Sequence, residues 1–315
     1  MYVMEIRTSF PSDRREQIEV ILSELSALHP QAETEAYAIR QNELFFRAVR
    51  RKLSYLRWLY GARKQIQGNS LLEINELLPG LDDVFHTKMA EMERQPRPGI
   101  IQPVVESIAG LARQVPHGKR FRIVSLGSGS MEAERQAVEA LLRGGTHSLT
   151  VVGFDISPRT RAFAAKNVGT LANARIVQAS RLTEAKLAEL ERETREPVLV
   201  VVADNDIFTL LSDFTPSFFG LAMSTLFLHH FGRAEREKLV ALMRSLAPKA
   251  LNYDGYKNEA VLPLLSIAGW GSPVFLNAAV FSTIRFPSRE EALRLHAGAK
   301  VYFYNHGHYR AVFSS

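Results

Sequence analysis

The chain has 315 residues, 46% hydrophobic and 23% charged, which is the composition of a folded globular protein with room for two domains. It holds no cysteine, which excludes disulfides, thiolate metal or iron–sulfur sites and a cysteine nucleophile, and suits a reducing compartment. The net charge of +6, from 39 basic and 33 acidic residues, permits an anionic partner without requiring one. The opening MYVMEIRTSFPSDRREQ carries charges and a proline where a signal peptide needs an apolar stretch, and no run approaches the ~18 apolar residues of a spanning helix. The expectation is a cytoplasmic protein with no transmembrane segment.

Residues 1–118 read as helical and neutral overall, with 15 basic and 15 acidic residues. Phe46, Val49, Leu53, Leu56 and Tyr60 recur at three- and four-residue spacing, an apolar stripe on one helix face. Arg47, Arg50, Arg51, Arg57 and Arg63 fall largely off that stripe, and 40–64 sets eight basic residues against the single acid Glu43. Ser70 and Glu73 form a capping box for a second helix. QPRPGIIQP (95–103) is a rigid connector, followed by a short helix over 104–114 and the Pro116-His117-Gly118 turn.

Beyond that turn the rhythm becomes strand, glycine loop, helix, strand. RIVSL (122–126) is a short apolar strand; Gly127-Ser128-Gly129-Ser130 follows, and then a helix over 131–143. LTVVGF (149–154) is a second strand ending in Asp155, and Ser157-Pro158 caps and opens the next helix. Further strands are expected at 174–179, 198–203 and 219–228. Strands alternating with helices predict a parallel sheet covered on both faces. At the end, 300–304 and 309–313 flank Asn305-His306-Gly307-His308 and predict a closing antiparallel pair.

A glycine turn between a first strand and a helix lets backbone N–H groups approach a ligand, and Asp155 at the next strand end is placed to accept both hydroxyls of a ribose. The alternative is that Asp155 only caps the following helix. A dinucleotide site would want a third glycine where this chain has Glu132, whose charge opposes a pyrophosphate. No Gly-Lys-Ser/Thr follows, so the loop is not a P-loop. A cofactor with a ribose and no phosphate fits better, and S-adenosylmethionine is the evident one.

On these residues, RIVSLGSGS, FDIS and FFGLAMSTLFLHHF (218–231), the segment from Arg122 onward resembles the class I S-adenosylmethionine-dependent methyltransferases. ALNYDGYKN takes the place of their fifth strand, and the last 34 residues resemble their C-terminal helix and strand pair. The resemblance covers 119–315 and implies a doubly wound, Rossmann-like α/β sheet with a C-terminal antiparallel strand pair, preceded by an all-helical cap domain over 1–118. It implies S-adenosyl-L-methionine as cofactor, S-adenosyl-L-homocysteine as product, and contacts from Ser125, Leu126, Gly127, Ser128, Gly129, Asp155, Ile156 and Leu226. Two departures bear on the methionine part: Ser125 replaces the family's acid two positions before the first glycine, and Met131 replaces the third glycine. The third strand is either Ala174–Ala179, bringing Gln178 and Ala179 to the adenine, or Val198–Ala203, bringing Asp204 there; the sheet order is read with the first.

Methyl transfer needs an in-line arrangement in a dry pocket, and a base only if the acceptor must lose a proton. His229 and His230, at the end of the central strand, are the candidate bases; as neighbours on a strand they face opposite ways, so at most one of them meets the substrate, and the alternative is that both structure the strand-to-helix turn. Tyr253 and Asp254, after the fifth strand, are candidate substrate contacts, as are Arg50 and Arg57 of the cap, which suit an acidic acceptor. His306 and His308 share a hairpin face without an evident third ligand, so no metal is expected. The leading reading is methyl transfer to an oxygen, nitrogen or carbon of a small molecule. The alternatives are an RNA methyltransferase that holds nucleic acid through 40–64, and a non-catalytic binding protein that keeps the fold. The oligomeric state stays open, a homodimer included.

Overall fold

Which strands sit at the centre follows from which apolar runs can be buried on both faces. The structure, a computed structural model, describes residues 101–115, 119–143, 148–257, 282, 285–304 and 307–314. The expected basic helix with Arg50 and Arg57, the second helix after Ser70, and His306 lie outside the described residues. All the described elements belong to one unit, built from 89–255 and 287–315.

In chain order these elements are α1 (Gln102–Ala112), β1 (Phe121–Leu126), α2 (Glu132–Arg143), β2 (Leu149–Phe154), α3 (Pro158–Val168), β3 (Ala174–Ala179), α4 (Glu184–Glu193) and β4 (Val198–Ala203). A short turn of helix, α5 (Leu210–Asp213), precedes β5 (Leu221–Thr225), α6 (Arg233–Leu246) and β6 (Lys249–Gly255); α7 (Arg289–Leu295), β7 (Lys300–Phe303) and β8 (His308–Ser314) complete the set. One eight-stranded sheet runs in the order β3-β4-β2-β1-β5-β6-β8-β7. The first six positions pair in parallel, while β8 runs antiparallel to both β6 and β7. This is the doubly wound sheet with a closing antiparallel pair that the resemblance implied.

The third-strand assignment is corrected. Val198–Ala203 lies beside β2, with Phe154 opposite Ala203, and Ala174–Ala179 is an added strand at the sheet edge. Composition explains the choice: VLVVVA buries every residue and suits a central position, whereas ARIVQA is only partly buried and exposes Gln178. The strand expected over 219–228 also ends early. Leu226 takes φ +52, which turns the backbone out of the strand, and residues Leu228–His230 form a 3₁₀ turn instead.

Helices α1, α2 and α3 pack on one sheet face around Ile123, Val151, Val200, Met223 and Tyr253. The other face joins Val124, Val152, Val201 and Ala222 to residues of α4, α5 and α6. Thus α1, drawn from the expected cap segment, shares the sheet's core. Arg122 ties β1 to α4 through a two-pronged pair with Glu191, at 2.9 and 2.7 Å, and Thr150 donates to the same carboxylate.

Met131, which stands where the sequence resemblance calls for a third glycine, has a glycine-like backbone, φ 53, with its side chain fully buried. Left-handed backbone costs a non-glycine residue about 1–2 kcal/mol, whereas emptying a buried methionine site costs about 2–5 kcal/mol. Burial wins, so Met131→Gly is expected to destabilise the fold by roughly 1–3 kcal/mol, read as a lower denaturant midpoint at unchanged slope.

Candidate active site

In an open parallel sheet, ligands bind outside the carboxyl ends of the strands where the winding reverses. Here the chain winds from β1 outward through β2 and β4, then returns to the other side of β1 as β5. The reversal point lies between β1 and β5, and the 127–131 loop leaves β1 there.

That loop carries two left-handed glycines, Gly127 at φ +62 and Gly129 at φ +51. The Phe227 ring lies against Gly127, so that a Cβ there would fall 2.1 Å from ring carbon Cδ2. Above Gly129, by contrast, a Cβ would meet nothing within 4 Å. Asp155, following β2, faces the loop: its Oδ2 accepts the Gly129 N–H at 3.1 Å and its Oδ1 the Ser157 N–H at 2.9 Å. Each oxygen keeps a lone pair for a further donor. Burial pushes the Asp155 carboxyl above its ordinary range, although the two backbone N–H groups and the nearby charge of Arg161 and His230 work against that rise. Asp155 also helps to start α3, whose cap is Ser157, accepting the Thr160 N–H at 3.2 Å.

Arg161, which sequence reasoning missed, joins two strand ends. It donates to the Asp155 and Ile156 carbonyls at 2.7 and 2.8 Å and to Asp204 Oδ2 at 2.9 Å. Asp204 follows β4 and is thereby brought beside Asp155, while the Ile156 side chain between them is 83% exposed. Gln178 and Ala179 lie one strand further out, at the edge, where Ala179 accepts the Asp204 N–H at 3.1 Å. The structure therefore separates Gln178 from the loop by two strands and places Asp204 nearer.

Glu132 does not project a free charge at the loop. Burial works to raise its carboxyl, but Arg135, Gln136 and Asn167 outweigh this and hold it below the usual range. Asn167 of α3 donates to it at 2.9 Å and also to the Ser130 carbonyl, so the carboxylate fastens α2 to α3. Four buried hydroxyls stand at the ends of β1 and β5 and in the loop: Ser125, Ser128, Ser224 and Thr225. Ser128, Ser224 and Thr225 make no hydrogen bond among the described residues, whereas Ser125 acts on the Glu134 carboxyl. Buried hydroxyls usually find partners, so this cluster suits a polar ligand.

The histidines are arranged differently from the expectation. Both lie on the 3₁₀ turn after β5 rather than on the strand, so they do not face opposite ways; their rings lie 4.3 Å apart, tilted at 35°. His229 is buried, and its Nδ1 lies 2.7 Å from Asp254 Oδ1 while its backbone N–H donates to Oδ2 at 2.9 Å. The Gly255 N–H adds a third donor at 2.8 Å. Burial acts to raise the Asp254 carboxyl, but His229, the Gly255 N–H and Arg236 prevail and hold it below the ordinary carboxylate range. Arg236 also clamps the turn by donating to the carbonyls of Leu228, His229 and Phe231. His230 is less buried and acts electrostatically on Asp155.

Tyr253 and Asp254 were expected after the fifth strand, in a loop. They are instead inside β6 and fully buried. Asp254 supports His229, and Tyr253 stacks on His308 at 5.4 Å and 2°. Burial drives the Tyr253 phenol far above its usual range. Leu126 is wholly buried, and the Leu226 N–H donates to the Tyr253 carbonyl at 2.7 Å. No group of three metal-ligating side chains occurs among the described residues, and none of the described helices is long and apolar enough to cross a membrane.

The sheet order and the closing antiparallel pair are those that the sequence resemblance implied. No protein-family model matches the chain, and no curated protein does. Among solved structures it is similar to a candidate S-adenosyl-L-methionine-dependent methyltransferase of Methanococcus maripaludis, at 12% identity over 73% of this chain and 91% of that one, TM-score 0.44. It is also similar to magnesium protoporphyrin IX methyltransferase of Synechocystis with bound S-adenosylmethionine, at 11% identity over 78% and 100%, TM-score 0.41. A candidate O-methyltransferase of Nostoc punctiforme aligns at 12% identity over 75% and 60%, TM-score 0.44.

Proposed function

We propose that the chain is an S-adenosylmethionine-dependent methyltransferase that acts on an oxygen, nitrogen or carbon atom of a small-molecule acceptor. The observation that carries this reading is the half-buried Asp155 carboxylate facing the glycine loop, with open space above Gly129. The unpaired hydroxyls around the loop fit a polar cofactor, and Glu132, already neutralised, does not oppose one. Asp155 would hold the ribose hydroxyls, Ile156 and Asp204 would border the base, and Gly127, Ser128 and Gly129 would lie against the amino-acid part. Bound there, the cofactor supplies an electrophilic methyl group on a sulfonium.

The protein's own contribution is placement and proton removal. Asp254 fixes His229 with its Nδ1 proton inward, and the carboxylate would stabilise the imidazolium formed if the ring takes a proton from the substrate. His230, whose ring lies 4.3 Å from that of His229 and whose charge acts on Asp155, would border the same space. An acceptor that is already nucleophilic needs only the in-line geometry.

Calorimetric titration with S-adenosylmethionine and S-adenosylhomocysteine tests this directly. Both are expected to bind, and Asp155→Ala is expected to weaken each about 100-fold through loss of two charge-assisted hydrogen bonds. Absence of binding to the wild type would overturn the reading.

A further inference from the structure

The loop region holds a second buried carboxylate, from an unexpected element. Glu134, on the first turn of α2, is 4% exposed, and its side chain neighbours the Ser125 hydroxyl, the penultimate residue of β1 and two before Gly127. The Ser128 hydroxyl of the loop is buried and unpaired among the described residues, while the Ser125 hydroxyl acts on Glu134. No cation pairs with Glu134 there, whereas Glu132 on the same helix has Arg135. A buried carboxylate is retained at a cost unless something compensates its charge.

Resting on the methyltransferase reading, we propose that Glu134 is the group that binds the α-ammonium of the cofactor's methionine part, supplying from helix α2 the charge that Ser125 on β1 lacks. The methionine part carries the ligand's α-ammonium, and Glu134 stands on the first turn of the helix that follows the loop. Burial raises the Glu134 carboxyl to about 6; Ser125 and its own backbone N–H act to lower it, and Glu132 adds to the rise. Helices α1 and α3, which pack on α2, add no charge that acts on it. An arriving ammonium would stabilise the ionised form.

The test is calorimetry and thermal unfolding of wild type, Glu134→Gln and the Ser125→Asp/Glu134→Gln pair. The expected result for E134Q is a 10- to 100-fold weaker affinity for both S-adenosylmethionine and S-adenosylhomocysteine. The affinity for 5′-methylthioadenosine, which keeps the nucleoside and lacks the amino acid, should not change. Equal losses for the first two assign the contact to the ammonium, because S-adenosylhomocysteine has no sulfonium. The double variant should regain affinity by returning the acid to β1.

Ligand-free E134Q should also melt higher than wild type at pH 7.5. A carboxyl raised in the folded state binds its proton more tightly there, so its penalty grows as pH rises through the window from about 4.5 to 6 and is absent below it. A merely structural acceptor would give the opposite sign. Unchanged affinity of E134Q for S-adenosylhomocysteine, or an equal loss for methylthioadenosine, would overturn the assignment while leaving the cofactor reading intact. Failure of the wild type to bind any of the three would overturn that reading itself.

Discussion

An Asp254→Asn variant is expected to bind S-adenosylhomocysteine as the wild type does and to lose turnover by about 10²–10⁴-fold on any acceptor that must give up a proton. The two carboxylate oxygens receive three donors: His229 Nδ1 and Gly255 N–H on Oδ1, and His229 N–H on Oδ2. An amide cannot satisfy them all. With its NH₂ in the Oδ1 place it meets the Gly255 N–H and forces the imidazole into the other tautomer. With NH₂ in the Oδ2 place it meets the His229 N–H. Either arrangement also costs about 1–3 kcal/mol of stability through an unmade buried hydrogen bond. Asp254→Ala, which orphans all three donors, should cost about 3–5 kcal/mol. The pH dependence has a definite sign. Because the folded carboxyl lies below its ordinary range, its stabilising effect is full above pH ~4 and is lost as pH falls through the folded value. The gap in unfolding free energy between wild type and D254N should therefore narrow in acid. Full turnover by D254N on a proton-losing acceptor would remove His229 from the base role.

Gly127→Ala carries the second large effect. Alanine at φ +62 costs about 1–2 kcal/mol in backbone strain. Its methyl group would also stand 2.1 Å from a carbon of the Phe227 ring, and overpacking of that kind adds about 1–3 kcal/mol. Phe227 cannot swing away freely, since it also packs edge-on against Phe231 at 4.9 Å. The expected loss is roughly 2–5 kcal/mol. Gly129→Ala is the control: φ is again positive, at +51, but the methyl enters open space, so only the backbone strain of about 1–2 kcal/mol applies. That methyl sits where a ligand would pass, so G129A should weaken cofactor binding more than its modest instability suggests. Denaturant midpoints and cofactor titrations of the two variants separate these effects; equal destabilisation would mean that Phe227 is not a fixed neighbour.

Local chemistry made much of this legible. LTVVGF has the observed strand bounds, Ser157 caps α3, and Asp155 lies across from the glycine loop. Local patterns were silent where the answer depended on competition or on distance. ARIVQA and VLVVVA both read as strands; only the number of faces each could bury decided which lay inside. Leu226 gives no sign, as a leucine, of the left-handed turn that ends β5, and that turn is what brings His229 and His230 together. The His229–Asp254 pair spans 25 residues and depends on β5 lying beside β6, so spacing along the chain could not reveal it. Glu134 was hidden for a simpler reason. A glutamate on a helix is ordinarily solvated, and the only clue was the serine on a neighbouring strand where the resemblance calls for an acid.

The edge position of β3 also constrains how the chain assembles. Among the described residues its one strand partner is β4, which is synthesised after it, so β3 emerges before that pairing place exists. Meanwhile the free edge of β2 is available and is the wrong one. A mispaired β3 would have to be expelled before β4 could enter, a slow step of the kind that long-range parallel pairing already favours. The polar content of β3, with Arg175 and Gln178 in a six-residue strand, keeps such a trap shallow. The fully apolar β4 then has the advantage, and its arrival gives β3 an edge to join.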